Sequence, residues 1–198
     1  MGRQPRCEYV YPGGTYHAWS RGSNREPIYF ADRDNVDFLH RLGRTATKYE
    51  WQVMAYCLLT NHYHLVIYLP EGGLSEGMKE LNGGFSRRTS VHYGRSAHLF
   101  RNRFGCTLIE TDEHLLEACR YVVRNPIEAG LCDQPDRWRW SSYRFGAWAD
   151  RPPAWLAISR LLGYFRQFDA EDPRRAYRRF VEKGQDEVSD TGTWPWEP

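Results

Sequence analysis

The 198-residue sequence has no apolar run long enough to cross a bilayer, and its first residues do not read as a secretory leader. A membrane partner is therefore not expected, and a cytoplasmic location is. The five cysteines, Cys7, Cys57, Cys106, Cys119 and Cys132, are odd in number and include no Cys-x-x-Cys pair. That argues against a cysteine zinc site or redox pair and favours reduced thiols in ordinary packing positions. There is no large excess of either charge: 27 Lys+Arg against 25 Asp+Glu gives a net charge of +2. The balance as a whole thus says nothing about a polyanionic partner, and any such signal must lie in local distribution. No internal repeat is present. A chain of this length can bury one real core, so one domain over residues 1–145 is expected, with a helical extension and loose tail over residues 146–198.

Two histidines sit two apart in Asn61-His62-Tyr63-His64-Leu65-Val66-Ile67-Tyr68, a run with strand character. Alternation puts His62, His64, Val66 and Tyr68 on one face and Tyr63, Leu65 and Ile67 on the other. Two imidazoles side by side on a rigid strand can hold a divalent ion if a third ligand comes from elsewhere. His-x-His alone is a weak motif.

The rest of the chain alternates between strands and helices. Thr15–Ser20 reads as a first strand, running into the small basic loop Arg21-Gly22-Ser23-Asn24-Arg25, a composition suited to phosphate contacts. Asp32–Thr47 reads as a helix lined by Val36, Phe38, Leu39 and Leu42, with Asp32 or Asp34 as cap. Trp51–Leu59 and His62–Leu69 read as a hairpin. A helix opens at Ser75, and Asn82-Gly83-Gly84 is a stretch expected to break or bend it. Arg87, Arg88, Arg95, Arg101 and Arg103 then follow between residues 86 and 103 with no acidic residue among them and with Phe85, Tyr93 and Phe100 interleaved. This is a local positive field, and phosphate binding is its better reading.

A short strand, Thr107–Glu110, leads into a helix over Thr111–Asn125, capped by Thr111 or Asp112 and expected to stop at Pro126. Its buried stripe is Leu115, Leu116, Cys119, Val122 and Val123, and Tyr121 and Asn125, four apart, share a face. Trp138, Trp140 and Tyr143 read as packing against the domain edge. Ala154–Phe165 reads as one helix, and Asp172-Pro173 starts another that ends at Gly184, with the tail loose beyond Gln185.

This order suggests an α+β fold, a ferredoxin-like antiparallel sheet with helices on one face. On such a sheet the last helix can lie over the histidine strand. His62, His64 and Asn125 would then make a three-ligand site suited to Mg2+ or Mn2+. Tyr121, one turn earlier, could attack a phosphorus held there. A phenol is a poor nucleophile at its free pKa of about 10, so the metal is the plausible activator.

Taken in order, several segments resemble the HUH single-tyrosine transposases, and within them the REP-associated tyrosine transposases. They are Gly14-Thr15-Tyr16-His17 with Arg21–Arg25, Ala55–Val66, Leu99–Phe104, Tyr121–Leu131 and Trp140–Tyr143, together spanning roughly residues 10–145. The resemblance implies a metal-dependent single-strand DNA endonuclease and strand transferase acting on palindromic repeats that fold as hairpins. Tyr121 would be the nucleophile, forming a 5′-phosphotyrosine and freeing a 3′ hydroxyl, and His62, His64 and Asn125 the metal ligands. Arg21, Arg25, Arg87, Arg88, Arg95, Arg101 and Arg103 are the candidates for holding the DNA. Nucleoid association and a monomer rather than a dimer go with this reading. The rivals are a catalytically silent hairpin-binding module, a metallohydrolase with attacking water, and a replication-initiator nickase.

Overall fold

The structure is a computed structural model, and it describes residues 10–183. Four strands form one antiparallel sheet in the order β2-β3-β1-β4: β1 Gly14–Arg21, β2 Gln52–Leu58, β3 His62–Leu69 and β4 Gly105–Ile109. Between them run α1 Asp32–Lys48 and α2 Leu74–Tyr93, and after β4 come α3 Asp112–Glu128, α4 Tyr143–Ala147, α5 Ile158–Phe165 and α6 Pro173–Glu182. The β1-α1-β2-β3-α2-β4 order with β1 and β3 central is the ferredoxin-like arrangement expected, and the class is α+β.

The helices divide between both faces of the sheet instead of covering one. Tyr16, Ala18, Tyr63, Leu65 and Ile67 pack with Phe38 and Leu42 of α1 and with Met78, Leu81 and Phe85 of α2. On the other face, Ala55, Cys57, Val66 and Ile109 pack with Leu115, Cys119, Val122 and Val123 of α3 and with Leu161, Phe165, Tyr177 and Val181 of α5 and α6. The physical reason is the length of the chain beyond β4. It supplies four more helices, and their apolar sides need the second face of the sheet as cover. A bulge between Val53 and Ala55 turns both Met54 and Ala55 toward α3, so β2 serves both cores.

Four local expectations are corrected. The α2 helix runs unbroken through Asn82-Gly83-Gly84. Asn82 is held there by side-chain bonds, its Oδ1 accepting from Tyr63 Oη (2.5 Å) and its Nδ2 donating to Ser20 Oγ (2.8 Å). It starts at Leu74 after Gly73 (φ +72), ahead of Ser75. The α3 helix passes through Pro126 to Glu128, because the turn beyond the proline is closed by Ala129 N–H to the Asn125 carbonyl and Leu131 N–H to the Pro126 carbonyl. The α5 helix covers only Ile158–Phe165, and the segment before it serves the sheet instead, with Ala157 N–H bonded to the Val53 carbonyl (2.7 Å).

Caps explain several boundaries. Thr111 Oγ1 accepts from His114 N–H at the start of α3, and Asp172 accepts from Arg175 N–H at the start of α6 with Pro173 in the first turn. At α1 the cap position falls on Ala31, and the Asp34 carboxylate reaches back to accept from Ala31 and Phe30 N–H. The expected end of α6 at Gly184, the tail after it and the first nine residues lie outside the described residues. Cys57, Cys119 and Cys132 are free as expected, whereas Cys106, on the edge strand β4, is disulfide-bonded.

The segment from Trp138 to Tyr143 closes the outer edge of β2. Trp138 Nε1 donates to the Leu58 carbonyl (2.9 Å), Leu58 N–H to the Trp140 carbonyl, Tyr56 N–H to Ser142 Oγ (3.0 Å) and Ser142 N–H to the Tyr56 carbonyl. An edge that would otherwise pair with another chain is thereby satisfied. The α6 helix lies against α3: Arg124 donates to the Val181 carbonyl (2.8 Å) and Arg120 lies over the Phe180 ring. The helix that carries Tyr121 is thus backed by the C-terminal helices.

Candidate active site

The site lies on the α3 face of the sheet. His62 and His64 are two apart on β3 and so share that face, their ring centroids 5.0 Å apart. On the neighbouring strand β1, the residues of the same face are His17, Trp19 and Arg21, with Arg21 directly opposite His62 and Trp19 opposite His64. The Trp19 ring lies over Gly105 of β4, where a Cβ would sit 2.5 Å from the indole, so glycine is what lets the ring lie down. A row of rings results: Trp19 to His17 at 5.1 Å, then His17 stacked on His64 at 5.0 Å.

The α3 helix crosses above this row. Tyr121 presents its ring edge-on to His64 (5.5 Å) and to His17 (5.9 Å) and is half-buried. Asn125, one turn later, is buried, and its side chain hydrogen-bonds the His62 imidazole. The four residues singled out for chemistry from three distant parts of the sequence therefore converge: His62 and His64 from β3, Tyr121 and Asn125 from α3.

Both histidines are oriented through Nδ1. His62 Nδ1 faces Asn61 Oδ1 at 2.7 Å, and the Asn61 amide is itself set by its Nδ2 donating to the Arg25 carbonyl at 2.9 Å. His64 Nδ1 faces His17 Nε2 at 2.9 Å. His64 Nε2 is buried and has no hydrogen-bond partner. Burial drives the imidazoles toward their neutral forms, lowering His17 to about 3 and His62 to about 4, with Arg21 adding to the effect on His62. His64 is held well below its ordinary value by burial, then by His17, His62 and Arg21. Neutral imidazole is the metal-ligating form.

The donor set fits a divalent ion. An orphaned buried ring nitrogen, a second imidazole and an amide lie together beside a tyrosine, and each of the two imidazoles has a supporting contact of the kind metal sites use. Among the described residues there is no group of three or more His, Cys, Asp or Glu disposed to hold a metal.

The cationic candidates fall in three places. Arg21 stands on the site face, its Nε buried without a hydrogen-bond partner. Burial and the neighbouring Arg25 lower its pKa, and Tyr121 opposes that change. Arg25 is exposed in the adjoining loop at φ +60. Arg87, Arg101 and Arg103 line a groove of about 1070 Å3 between α2 and the segment before β4, while Arg88 is exposed on α2. Arg95 is ion-paired to Glu26 and stacked over Phe30. Beside the groove, at the end of β1, Arg101 N–H donates to the Arg21 carbonyl (2.9 Å) and Ser23 N–H to the Leu99 carbonyl.

The profile of the family described as "Transposase IS200 like" matches residues 11–125, more than half of the chain and all of the site just described. The chain belongs to the IS200-like transposase family. It is therefore a DNA transposase, and the resemblance read from the ordered segments is to the right family. A REP-associated tyrosine transposase of Haemophilus influenzae is 25% identical over 142 residues, which cover 66% of this chain and 80% of that protein. Among solved structures, a REP-associated tyrosine transposase bound to a REP hairpin shares the fold with a TM-score of 0.63 at 20% identity, covering 77% of this chain and 89% of that one.

Two site residues of this IS200-like transposase were not singled out from the sequence: His17 and Asn61. Both lay inside the segments that carry the resemblance. The available signal was alternation on β1, which places His17, Trp19 and Arg21 on one face. Only the pairing of β1 with β3 shows which histidine His17 meets.

Proposed function

We propose that this transposase is a metal-dependent single-strand DNA endonuclease and strand transferase of the REP-associated kind, cleaving hairpin-bearing DNA through a covalent 5′-phosphotyrosine. The observation that carries the reading is the Tyr121 ring edge-on to His64, on the same sheet face as His62 and Asn125. The named relative and the hairpin-bound structural neighbour support the same substrate class.

His62, His64 and Asn125 would hold Mg2+ or Mn2+. A bound ion there would polarise the phosphate and offset the charge that develops on it. Asn61 and His17 orient the two imidazoles, and Arg21, with no carboxylate ion pair among the described residues, adds positive charge beside the reacting phosphate. Tyr121 Oη bonds to phosphorus as the bond to the 3′ oxygen breaks. The phenol proton leaves to solvent and the departing 3′ oxygen takes one up. One phosphodiester replaces another, so the bond energy is kept for rejoining.

Arg87, Arg101 and Arg103 supply DNA-backbone contacts along the groove, and Arg25 and Arg88 supply them from the loop after β1 and the exposed side of α2. Arg95 would do so only by leaving Glu26. The protein acts as a monomer at the nucleoid, with residues 1–145 as the chemical domain and the C-terminal helices as its support. No helix among the described residues is long and apolar enough to cross a membrane.

The test is a labelled single-stranded hairpin incubated with protein and Mg2+ or Mn2+, then resolved on a denaturing protein gel. A shifted band that requires the metal and disappears in Tyr121→Phe is the expected result. Cleavage that persists in Tyr121→Phe without attachment would mean a water nucleophile instead. Tight hairpin binding with no cleavage of any flanking sequence would mean a silent binding module.

A further inference from the structure

Building on the metal reading above, we propose that His17 is a positioning residue. It accepts a hydrogen bond from His64 Nδ1 and so fixes the tautomer that turns an unprotonated His64 Nε2 into the site. The contact is between His17 Nε2 and His64 Nδ1 at 2.9 Å, with both side chains fully buried. A hydrogen bond between two neutral imidazoles can be made in two senses. If His17 donates, His64 carries its proton on Nε2 and cannot ligate. If His17 accepts, His64 carries its proton on Nδ1, and its Nε2, the buried atom without a hydrogen-bond partner, has a lone pair to offer.

The sibling ligand shows which sense the site is built for. His62 Nδ1 meets Asn61 Oδ1, an amide oxygen that can only accept and whose orientation is set by Nδ2 donating to the Arg25 carbonyl. His62 is thereby the Nδ1–H tautomer. His17 occupies the equivalent place for His64, with the Trp19 ring tilted against it at 5.1 Å and the Tyr121 ring in a T-shaped contact at 5.9 Å. His17 and His64 are diagonal neighbours across β1 and β3, His17 standing opposite Val66 and Trp19 opposite His64. The geometry thus pairs each of the two expected histidine ligands with one orienting partner. Such supporting partners change metal affinity by about 10- to 100-fold when removed.

The experiment uses the full chain with 15N-labelled histidine. Long-range 1H–15N spectra of the metal-free protein report the His64 tautomer, and Mn2+ titration followed by the free-ion EPR signal reports affinity. In the wild type His64 is expected as Nδ1–H. In His17→Phe, which keeps a ring but removes the acceptor, the tautomer redistributes and Mn2+ binds about 10- to 100-fold more weakly. In His17→Gln, whose amide oxygen can lie near the former Nε2, both the tautomer and the affinity return toward the wild type. A residue that merely fills space would show no such rescue of the tautomer.

A wild-type His64 protonated on Nε2 overturns the proposal, and so does a folded His17→Phe variant that binds Mn2+ as tightly as the wild type. Where His17→Phe does not fold, the wild-type tautomer and the His17→Gln affinity decide. Absence of Mn2+ binding in the wild type, with hairpin attachment intact, overturns the metal reading and with it this role for His17. Absence of attachment with Mn2+ bound and the tautomer as stated overturns the tyrosine chemistry and leaves the role of His17 supported.

Discussion

Tyr63 and Tyr121 lie on opposite sides of β3 and live in different chemical worlds. Tyr63 is fully buried under α1 and α2, its hydroxyl within reach of Ser20 and donating to Asn82, in a network that closes on itself. Burial pushes its pKa up, so it stays a phenol. Tyr121 lies half-buried against two neutral histidines and near the half-buried Arg21 guanidinium. Unpartnered polar atoms exist on both faces, but they are distributed differently. On the Tyr63 side they are the isolated Tyr29 Oη among Phe38 and Phe85 and the Trp51 Nε1 beside Gly77. On the Tyr121 side His64 Nε2 and Arg21 Nε occur together with a candidate nucleophile. Clustering of open valences, rather than their number, marks the working face.

The largest expected effect separates the two tyrosines directly. Tyr121→Phe should abolish the covalent protein–DNA band while leaving hairpin binding, measured by native gel shift, and the thermal midpoint near wild type. Tyr63→Phe should keep the band but leave Asn82 Oδ1 without its donor, at a cost of about 1–3 kcal/mol in denaturant unfolding. Loss of the band in a folded Tyr63→Phe variant would break the comparison.

A second contrast uses adjacent residues of one strand. His64→Ala should remove Mn2+ binding and attachment. Leu65→Ala, on the dry face, should cost about 2–5 kcal/mol of stability and spare attachment at temperatures where the variant is folded. Chemical denaturation and the denaturing gel, run on both variants, check the split.

Acid should expose the site face. His17, His62 and His64 all titrate lower in the fold than the ordinary value of about 6.5 expected of the unfolded chain. As the pH falls, the unfolded state therefore takes up protons first. Their contribution is fully present above about pH 6.5 and is lost toward about pH 4, by up to about 1.4 kcal/mol per pH unit for each histidine. Thermal midpoints at pH 7.5, 6 and 5 should drop steadily, and a flat profile would mean that the histidines are solvated.

The smallest effects test the packing of α2. A Cβ on Gly77 would meet the Trp51 ring at 2.1 Å, so Gly77→Ala should destabilise despite its better helix propensity. At Gly83 the nearest atom is Arg87 Nη1 at 3.5 Å, an ordinary contact, and Gly83→Ala should stabilise by about 0.5–1 kcal/mol in the same unfolding assay.

Much of this molecule was determined by the sequence alone, because periodicity is a local property. Alternation over His62–Tyr68 put both histidines on one face, and the spacing of Tyr121 and Asn125 put both on one side of a helix. The expected ferredoxin-like sheet followed from the order of the elements. Where sequence reasoning failed, a neighbour distant in the chain overrode a local preference. Asn82 continues a helix that glycines should interrupt because Tyr63 and Ser20 bond it, and the α3 helix survives Pro126 because the next turn finds its own hydrogen bonds. The division of helices between two faces, the ion pair that occupies Arg95 and the meeting of His17 with His64 were decided only by tertiary structure. Each depends on which surfaces the fold brings together, and a contact between residues 47 apart leaves no periodic trace in the chain.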